Sequence, residues 1–182
     1  TVRQWQESDM PKLTFAINLS ATKFIKKHLL SDLIAVLQTH SVNPECIELE
    51  LTETIAIGNP TFALNTISKL REAGFKMSID DFGTGYSSMN YLKDFSLDKL
   101  KIDKSFIDDL ENPSDADKAI VKAMIDLASA LNMESIAEGV ETQQQVKILK
   151  ELACSQVQGY YFSKPLPLDA LYRFIQSSSS VT

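Results

Sequence analysis

The sequence predicts an α/β protein, a TIM-like (β/α) barrel that is incomplete at its N-terminus and has about six of the eight strands. Two observations predict this class. Short β-like runs alternate with helix-like segments along the 182-residue chain, which is typical of parallel β/α units. Each run also has one apolar and one polar face, whereas an open sheet covered on both sides reads as nearly continuous apolar runs. This favours a barrel with helices outside and a polar site at its C-terminal mouth.

Six β-like runs are the predicted strands. The second run illustrates the two faces, because Ile47 and Leu49 share one side while Glu48 and Glu50 share the other. In chain order, the runs read LTFAINLS, CIELELTE, FKMSIDDF, LDKLKIDKSF, ESIAEGVE and QVQGYYFS. The fifth run departs from this parity, since Glu138 shares its side with Ile136. A bulge or the end of the strand is therefore needed to place Glu138 at the mouth.

The helices between the runs carry recognisable start signals. Asn59-Pro60 opens one helix, with the proline suited to the first turn, and Ser114 precedes another. Thr142 and Gln145 resemble a capping box ahead of a third helix. Strands and helices in strict alternation complete the prediction of β/α units.

The strand count predicts a missing part of the barrel. A full barrel needs about eight strands and about 250 residues, so the absent portion is expected before Thr1. Residues 1–176 are assigned to the partial barrel and residues 177–182 to a disordered tail. An unclosed barrel exposes two strand edges. The chain is therefore expected to be part of a larger domain, or to cover its edges with a partner.

Composition narrows the class of function. The net charge of −6 argues against a broad surface for duplex nucleic acid. There is neither an apolar run of roughly 20 residues nor a signal sequence, and the two cysteines have no metal-like spacing. A cytoplasmic protein is predicted, with a membrane tether through upstream segments as an alternative.

Polar residues collect at the predicted strand ends. Carboxylates gathered there would repel one another unless protonated or bridged by cations, and a site rich in oxygen without histidine suits Mg²⁺ or Mn²⁺. Neighbouring aspartates are natural ligands for two ions at once. The simpler reading is that each acid only caps a turn or is solvated. The collected residues are Asn18, Glu50, Glu53, Asp80, Asp81, Lys101, Asp103, Glu138, Glu141 and Gln158.

The motifs NLS, ELTE, DDFGTGYSS, LKIDKSF, AEGVE and QGYYFSKPL, in this order, resemble those of the EAL-domain phosphodiesterases of bacterial cyclic-di-GMP signalling. The resemblance covers about residues 13–175. It implies a TIM-like barrel that hydrolyses one phosphodiester bond of cyclic-di-GMP to give linear pGpG with two Mg²⁺ or Mn²⁺ ions. By motif match, it also implies metal ligands at Asn18, Glu50, Asp80, Asp81 and Glu138.

The same resemblance implies roles for other residues. Lys101 is similar to the lysine that contacts the nucleophilic water and the phosphate, and Glu138 to a glutamate with general-base duty. Asp103 and Gln158 are assigned to substrate binding, and Glu53 to anchoring the DDFGTGYSS loop. In the family this loop and the following helix take part in dimerisation. A homodimer through the segment after Asp81 is therefore expected, together with an upstream sensor or diguanylate-cyclase domain.

The Glu-Ala-Leu signature that names the family is absent from the chain. Since its glutamate is a metal ligand in the family, activity of this chain alone is expected to be impaired. Two other functions stay open. One is a catalytically inactive EAL-type domain that binds cyclic-di-GMP or docks a protein. The other is a barrel enzyme that uses Mg²⁺ on a different phosphoester.

Overall fold

The computed structural model describes residues 1–8, 10–85 and 92–178. These residues contain one sheet of six parallel strands, and each strand pairs with the next in sequence. The predicted alternation and fold class are confirmed: the strands curl into part of a barrel with helices between them. The strands are β1 (Phe15–Asn18), β2 (Ile47–Thr52), β3 (Lys76–Phe82), β4 (Lys99–Ile102), β5 (Glu134–Ala137) and β6 (Gln156–Val157).

The helices of the described residues precede β1, connect the strands and follow β6. Short 3-10 turns span Pro44–Cys46 and Asp109–Glu111. The α-helices are α1 (Val2–Gln6), α2 (Ala21–Phe24), α3 (Leu29–Thr39), α4 (Glu53–Gly58), α5 (Pro60–Glu72), α6 (Lys104–Asp108), α7 (Asp115–Ala130), α8 (Gln143–Glu151) and α9 (Leu168–Ser178). None of them is long and apolar enough to cross a membrane, as judged over the described residues.

The predicted helix starts are present. The Asn59 side chain accepts a hydrogen bond from the Phe62 N–H at 3.2 Å, so α5 begins at Pro60. The side chain of Thr142 accepts from the Gln145 N–H, and Gln145 Oε1 accepts from the Thr142 N–H at 3.0 Å, which closes the expected capping box of α8. The last helix continues to Ser178, two residues into the tail predicted from residue 177. Residues 179–182 lie outside the described residues.

The core lies between the outer face of the sheet and the helices. Apolar side chains of successive strands fill it, including Leu49, Met77, Ile79 and Leu100, all almost fully buried. The inner face instead carries polar and charged residues, as the parity of the strands predicted. Polar side chains of the inner face meet at the C-terminal ends of the strands, where Lys101 contacts Glu50 and Asp80.

Both edges of the described sheet leave apolar side chains open. Strand β1 pairs only with β2 within the described residues, and Ile17, which lies on the apolar side of the run LTFAINLS, is 49% exposed. After β6, the side chains of Tyr160, Tyr161 and Phe162 are also largely exposed. The difference at Ile17 has a simple physical reason, since an edge strand has neighbours on one side only.

Candidate active site

A buried ammonium group at the C-terminal end of the sheet is surrounded by three carboxylates. Lys101 Nζ lies 2.6 Å from Glu50 Oε1, 2.8 Å from Asp80 Oδ1 and 2.8 Å from Glu138 Oε1. The acids come from β2, from β3 and from the residue that follows β5, and the Lys101 side chain is only 6% exposed. The sequence placed these four residues at one mouth, and the structure brings them together at one point.

The charges in this cluster do not balance. Burial alone would lower the pKa of Lys101, but the carboxylates of Asp80, Glu138 and Glu50 outweigh it and raise that pKa above its ordinary range. Lys101 therefore stays protonated, and one positive charge faces three carboxylates. In a partly desolvated site, this excess favours either protonation of a carboxylate or binding of a further cation.

Glu138 is the carboxylate of the cluster whose pKa is raised. Burial raises its pKa above the ordinary range, even though Lys101 acts in the opposite direction, and the charges of Asp80 and Glu50 add to the rise. Glu138 follows the last residue of β5, and its N–H donates to the Ile102 carbonyl at 3.2 Å. It shares the inner side of the sheet with Ile136, so the strand end places it, one of the two options that the sequence left open.

The neighbouring acids Asp80 and Asp81 lie in a β-bulge. Ile79 pairs with Leu100 and Phe82 pairs with Ile102, so two residues of β3 face the single residue Lys101 of β4. Asp81 has φ +54°, a left-handed conformation that aspartate tolerates better than most residues. In a regular strand, consecutive side chains would point to opposite faces. The bulge breaks that alternation at the mouth.

Asp81 is exposed, but it still belongs electrostatically to the cluster. Partial burial and then the neighbouring charges of Asp80 and Asp103 raise its pKa, while Lys101 lowers it. Its position is compatible with a ligand that approaches from the open side of the mouth.

Asn18 and Gln158 flank the cluster from the two edges of the sheet. Asn18 ends β1 directly opposite Glu50 in the strand register, with an exposed side chain. Gln158 is exposed as well. Its N–H donates to the Ala137 carbonyl at 2.8 Å, and its carbonyl accepts from the Val140 N–H at 3.0 Å, so its backbone brackets Glu138.

The carboxylate of Asp103 is hydrogen-bonded to Ser105. Its Oδ1 accepts hydrogen bonds from the N–H of Ser105 at 3.0 Å and from the Ser105 hydroxyl, which caps α6. The Ser105 side chain therefore lowers the pKa of Asp103 below its ordinary range, against the effect of burial. Asp103 lies in sequence between Lys101 and α6, and among the described residues its carboxylate hydrogen-bonds with Ser105 rather than with the carboxylate cluster.

Glu53 lies beneath the start of the loop that follows β3. Its side chain is buried, and its Oε2 accepts from the Gly83 N–H at 3.1 Å and from the Gly85 N–H at 3.4 Å. Its Oε1 has no hydrogen-bond partner among the described residues. The loop continues into residues 86–91, where part of the predicted dimerisation segment falls, and these lie outside the described residues.

The donor atoms of the mouth suit a hard divalent cation. They are carboxylate oxygens and an amide oxygen, the types that Mg²⁺ and Mn²⁺ prefer. Asp80 Oδ1 is buried, and its charge is met by Lys101 Nζ at 2.8 Å. Over the part of the chain that the structure describes, no group of three Asp, Glu, His or Cys side chains is already arranged to hold a metal ion. The carboxylates instead turn towards the lysine.

A second ion pair lies deeper on the same strands. Lys99 Nζ is 2.8 Å from Glu48 Oε2, and both side chains are mostly buried, at 17% and 4% exposed. Sequence reasoning placed Glu48 on the polar face but did not pair it with Lys99. The repeated spacing of two residues in ELE and KLK was the available signal, since it puts Glu48 below Glu50 and Lys99 below Lys101.

Comparison with known proteins identifies the family. The EAL-domain profile matches residues 1–165. The chain belongs to the EAL-domain family. Among solved EAL structures, the phosphodiesterase of PaMucR in complex with c-di-GMP superposes with a TM-score of 0.88 at 38% identity, covering 93% of this chain and 68% of that chain. The EAL domain of Mycobacterium smegmatis DcpA superposes with a TM-score of 0.89 at 29% identity, covering 97% of this chain and 79% of that one.

Similar EAL proteins include the bifunctional diguanylate cyclase/cyclic di-GMP phosphodiesterase MucR of Pseudomonas aeruginosa, 39% identical over 93% of this chain and 25% of its own length. The cyclic di-GMP phosphodiesterase NbdA of the same organism is 42% identical over 91% of this chain and 21% of its own length. The chain thus spans only about a fifth to a quarter of the curated relatives that it matches. One solved relative, Klebsiella pneumoniae BlrP1, was crystallised with manganese and cyclic-di-GMP (TM-score 0.78, 32% identity, covering 85% of this chain and 39% of that chain).

Proposed function

We propose that this EAL domain is the catalytic part of a metal-dependent phosphodiesterase that hydrolyses cyclic-di-GMP to linear pGpG. The observation that carries the proposal is the buried Lys101 ammonium held by three carboxylates at the mouth of a β/α sheet. Family membership gives this geometry its substrate class, because relatives are named as cyclic di-GMP phosphodiesterases. A site that collects more acid than its own lysine neutralises fits chemistry on a phosphodiester bridged by cations.

The proposed cation site consists of Asn18, Glu50, Asp80, Asp81 and Glu138, with two Mg²⁺ or Mn²⁺ ions as the expected occupants. When bound, the ions would polarise the phosphodiester and lower the pKa of a coordinated water. The carboxylate excess supports this assignment, since the single ammonium of Lys101 faces three carboxylates. For the acids to serve both Lys101 and a cation, their oxygens must be shared between the two or must turn when the cation enters.

Lys101 and Glu138 are the proposed catalytic side chains. The protonated Lys101 would offset the negative charge that develops on the phosphate oxygens as water attacks phosphorus. Glu138 would accept the proton that the attacking water loses, and its raised pKa makes its carboxylate a better base than an ordinary glutamate. The P–O bond to the leaving sugar oxygen breaks, and that oxygen takes up a proton to give pGpG.

Other residues complete the proposed site. Gln158 and Asp103 are proposed to contact the substrate, Gln158 from beside Glu138 and Asp103 from the start of α6. Glu53 is proposed to anchor the loop after β3 through its two glycine N–H contacts. A homodimer through the segment after Asp81, an upstream sensor or cyclase domain and a cytoplasmic site of action remain parts of the proposal.

The decisive experiment compares the native protein with its Asp80→Asn variant. Wild-type protein with Mn²⁺ is expected to convert cyclic-di-GMP to pGpG. The conversion is measured by separating the two nucleotides chromatographically. Loss of an outer partner of a metal ligand typically costs about 10–100-fold, so loss of a direct ligand is expected to lower kcat by more than about 100-fold. Electron paramagnetic resonance of bound Mn²⁺ should show weaker binding in the variant.

The matched control is Asp126→Asn, which removes a carboxylate from the exposed pair with Lys122 on α7, outside the carboxylate cluster. It should leave both turnover and Mn²⁺ binding unchanged. Tight binding of cyclic-di-GMP by wild-type protein without any pGpG would support an inactive receptor instead. Turnover of bis(p-nitrophenyl) phosphate but not of cyclic-di-GMP would support an enzyme for another phosphoester.

A further inference from the structure

Lys104 lies against the turn that carries Glu138, although it is not part of the carboxylate cluster. Gly139 follows Glu138 and has φ +72°. A Cβ atom added at Gly139 would lie 2.7 Å from Lys104 Cδ and 2.8 Å from Lys104 Cβ, much closer than ordinary contacts. The aliphatic part of Lys104 therefore rests directly on the Gly139 backbone, and a side chain at position 139 would displace it.

The ammonium end of Lys104 fixes the other end of the same turn. It forms an ion pair and a hydrogen bond with Glu141 and a longer contact of 3.5 Å with Asp108. The contact with Glu141 raises the pKa of Lys104 above its ordinary range, so the side chain stays charged. One side chain thus holds both Gly139 and Glu141, the residues on either side of Val140.

The placement of Lys104 links the two catalytic strand ends. Lys104 begins α6, three residues after Lys101, whereas Gly139 directly follows Glu138. The Glu138 backbone N–H already bonds to the Ile102 carbonyl at 3.2 Å, so Lys104 adds a side-chain connection to a backbone one. The two connections together join the exit of β4 to the exit of β5.

We propose that Lys104 is a positioning residue that clamps residues 138–141 against the start of α6 and so sets the distance between Glu138 and Lys101. This proposal rests on the function proposed above. The Lys104 side chain is 47% exposed and its partner Glu141 is 46% exposed. Exposed ion pairs contribute little to global stability, so its loss is expected to act on the geometry of the turn rather than on folding.

The test replaces Lys104 with methionine, which keeps an unbranched stem over Gly139 and removes the charge. The expected result is a fall in kcat of about 10- to 100-fold, the range typical for partners that orient catalytic groups, with KM changed less than about threefold. Hydrogen–deuterium exchange of the peptide covering residues 138–142 should be faster in the metal-free variant. The midpoint of thermal unfolding should stay close to that of the wild type.

Two comparison variants sharpen the test. Lys122→Met breaks the exposed pair with Asp126, another lysine–aspartate pair on a helix, and should change neither kcat nor exchange of the turn. Lys104→Arg keeps the charge and should retain most of the wild-type kcat. A double variant, Lys104→Met with Glu141→Gln, should be little worse than Lys104→Met alone, because both changes remove the same contact.

The proposal is overturned if Lys104→Met exchanges the turn at the wild-type rate, or if its kcat equals that of Lys122→Met. Strictly additive effects of the Lys104 and Glu141 changes would also overturn it. Exchange is measured on metal-free protein, so it decides the clamp even if wild-type protein hydrolyses no cyclic-di-GMP. In that case the proposed function fails on its own.

Discussion

Two layers of the barrel interior contain the same kinds of residue but differ in charge balance. In the lower layer, one lysine meets one glutamate, Lys99 with Glu48 at 2.8 Å. In the upper layer, two residues further along the same strands, Lys101 meets Glu50 and two further acids. Both lysines and both glutamates are mostly buried, so burial does not distinguish the layers.

An excess of charge, rather than the presence of buried charge, therefore marks the candidate site. The Glu48–Lys99 pair satisfies itself and leaves nothing for a ligand to neutralise. The upper layer has two carboxylates more than its lysine can balance, and they lie where the mouth opens. An incoming cation would relieve that repulsion, which is why chemistry is expected in only one of the two layers.

The largest effect is expected from Lys101→Met, which removes the only cation in the upper layer of the described residues. Three carboxylates then lose their partner, and removing one member of a buried ion pair typically destabilises by about 3–5 kcal/mol. Urea unfolding of the metal-free protein at neutral pH measures this loss. Mn²⁺ should restore more stability in the variant than it adds to the wild type, because the unbalanced charge is larger.

If Mn²⁺ stabilises wild type and Lys101→Met equally, the carboxylates of the upper layer do not respond to cations as a group. The excess of negative charge in the upper layer would then not distinguish it from the lower layer.

A smaller effect is expected from Glu48→Gln in the lower layer. The lysine left behind is 17% exposed and can turn partly towards water, so the expected loss is about 1–3 kcal/mol, the usual cost of an unsatisfied buried polar group. The combined change Glu48→Gln with Lys99→Met should recover part of that stability, since replacing both members of a buried pair is often neutral. Equilibrium unfolding of the single and double variants gives these values.

Turnover is the second measurement on the lower layer. In Glu48→Gln, kcat should stay within about threefold of the wild type, whereas Asp80→Asn loses most activity. A loss of activity in Glu48→Gln as large as that in Asp80→Asn, at unchanged stability, would show that both layers take part in the chemistry.

The smallest effect is on the dependence of stability on pH. The pKa of Glu138 is raised in the folded protein, so the folded state binds more protons than the unfolded state between the ordinary and the raised pKa. The free energy of unfolding of the metal-free protein should therefore fall as pH rises through that interval. Glu138→Gln should make the fall shallower when urea unfolding is measured from pH 4 to pH 8.

Part of the slope should remain in Glu138→Gln, because Asp81 also has a raised pKa. Asp103, whose pKa is lowered, contributes with the opposite sign, since its stabilisation is lost as pH falls. An unchanged slope in Glu138→Gln would mean that the pKa of Glu138 is not raised in the folded protein.

Local patterns in the sequence were sufficient for the elements and for the membership of the upper layer. Alternation along each run gave the strands, and the spacing of Thr142 and Gln145 gave a capping box, because both depend on residues only a few positions apart. Contacts between residues of different strands could not be predicted from these patterns. The Glu48–Lys99 pair and the contact of Lys104 with Gly139 join residues 51 and 35 positions apart, so they depend on the register between strands and on the chain path. The ELE and KLK spacing places each pair of like residues on one face of its own strand, but it does not say which strands are neighbours.

The exposure of Ile17 could not be predicted for a different reason. Parity gave it the right face, but parity says nothing about what covers that face, and within the described residues β1 pairs on one side only. The uncovered aromatic residues after β6 follow the same rule.

The β-bulge between Ile79 and Phe82 has a consequence for how this site can be inherited or engineered. Two consecutive aspartates are available at the mouth only because β3 is one residue longer there than its neighbour β4 requires. Deleting a single residue from that stretch would straighten the ladder and turn one acid outwards, even with every other side chain preserved. The site therefore depends on the number of residues in β3 as well as on the identity of its acids.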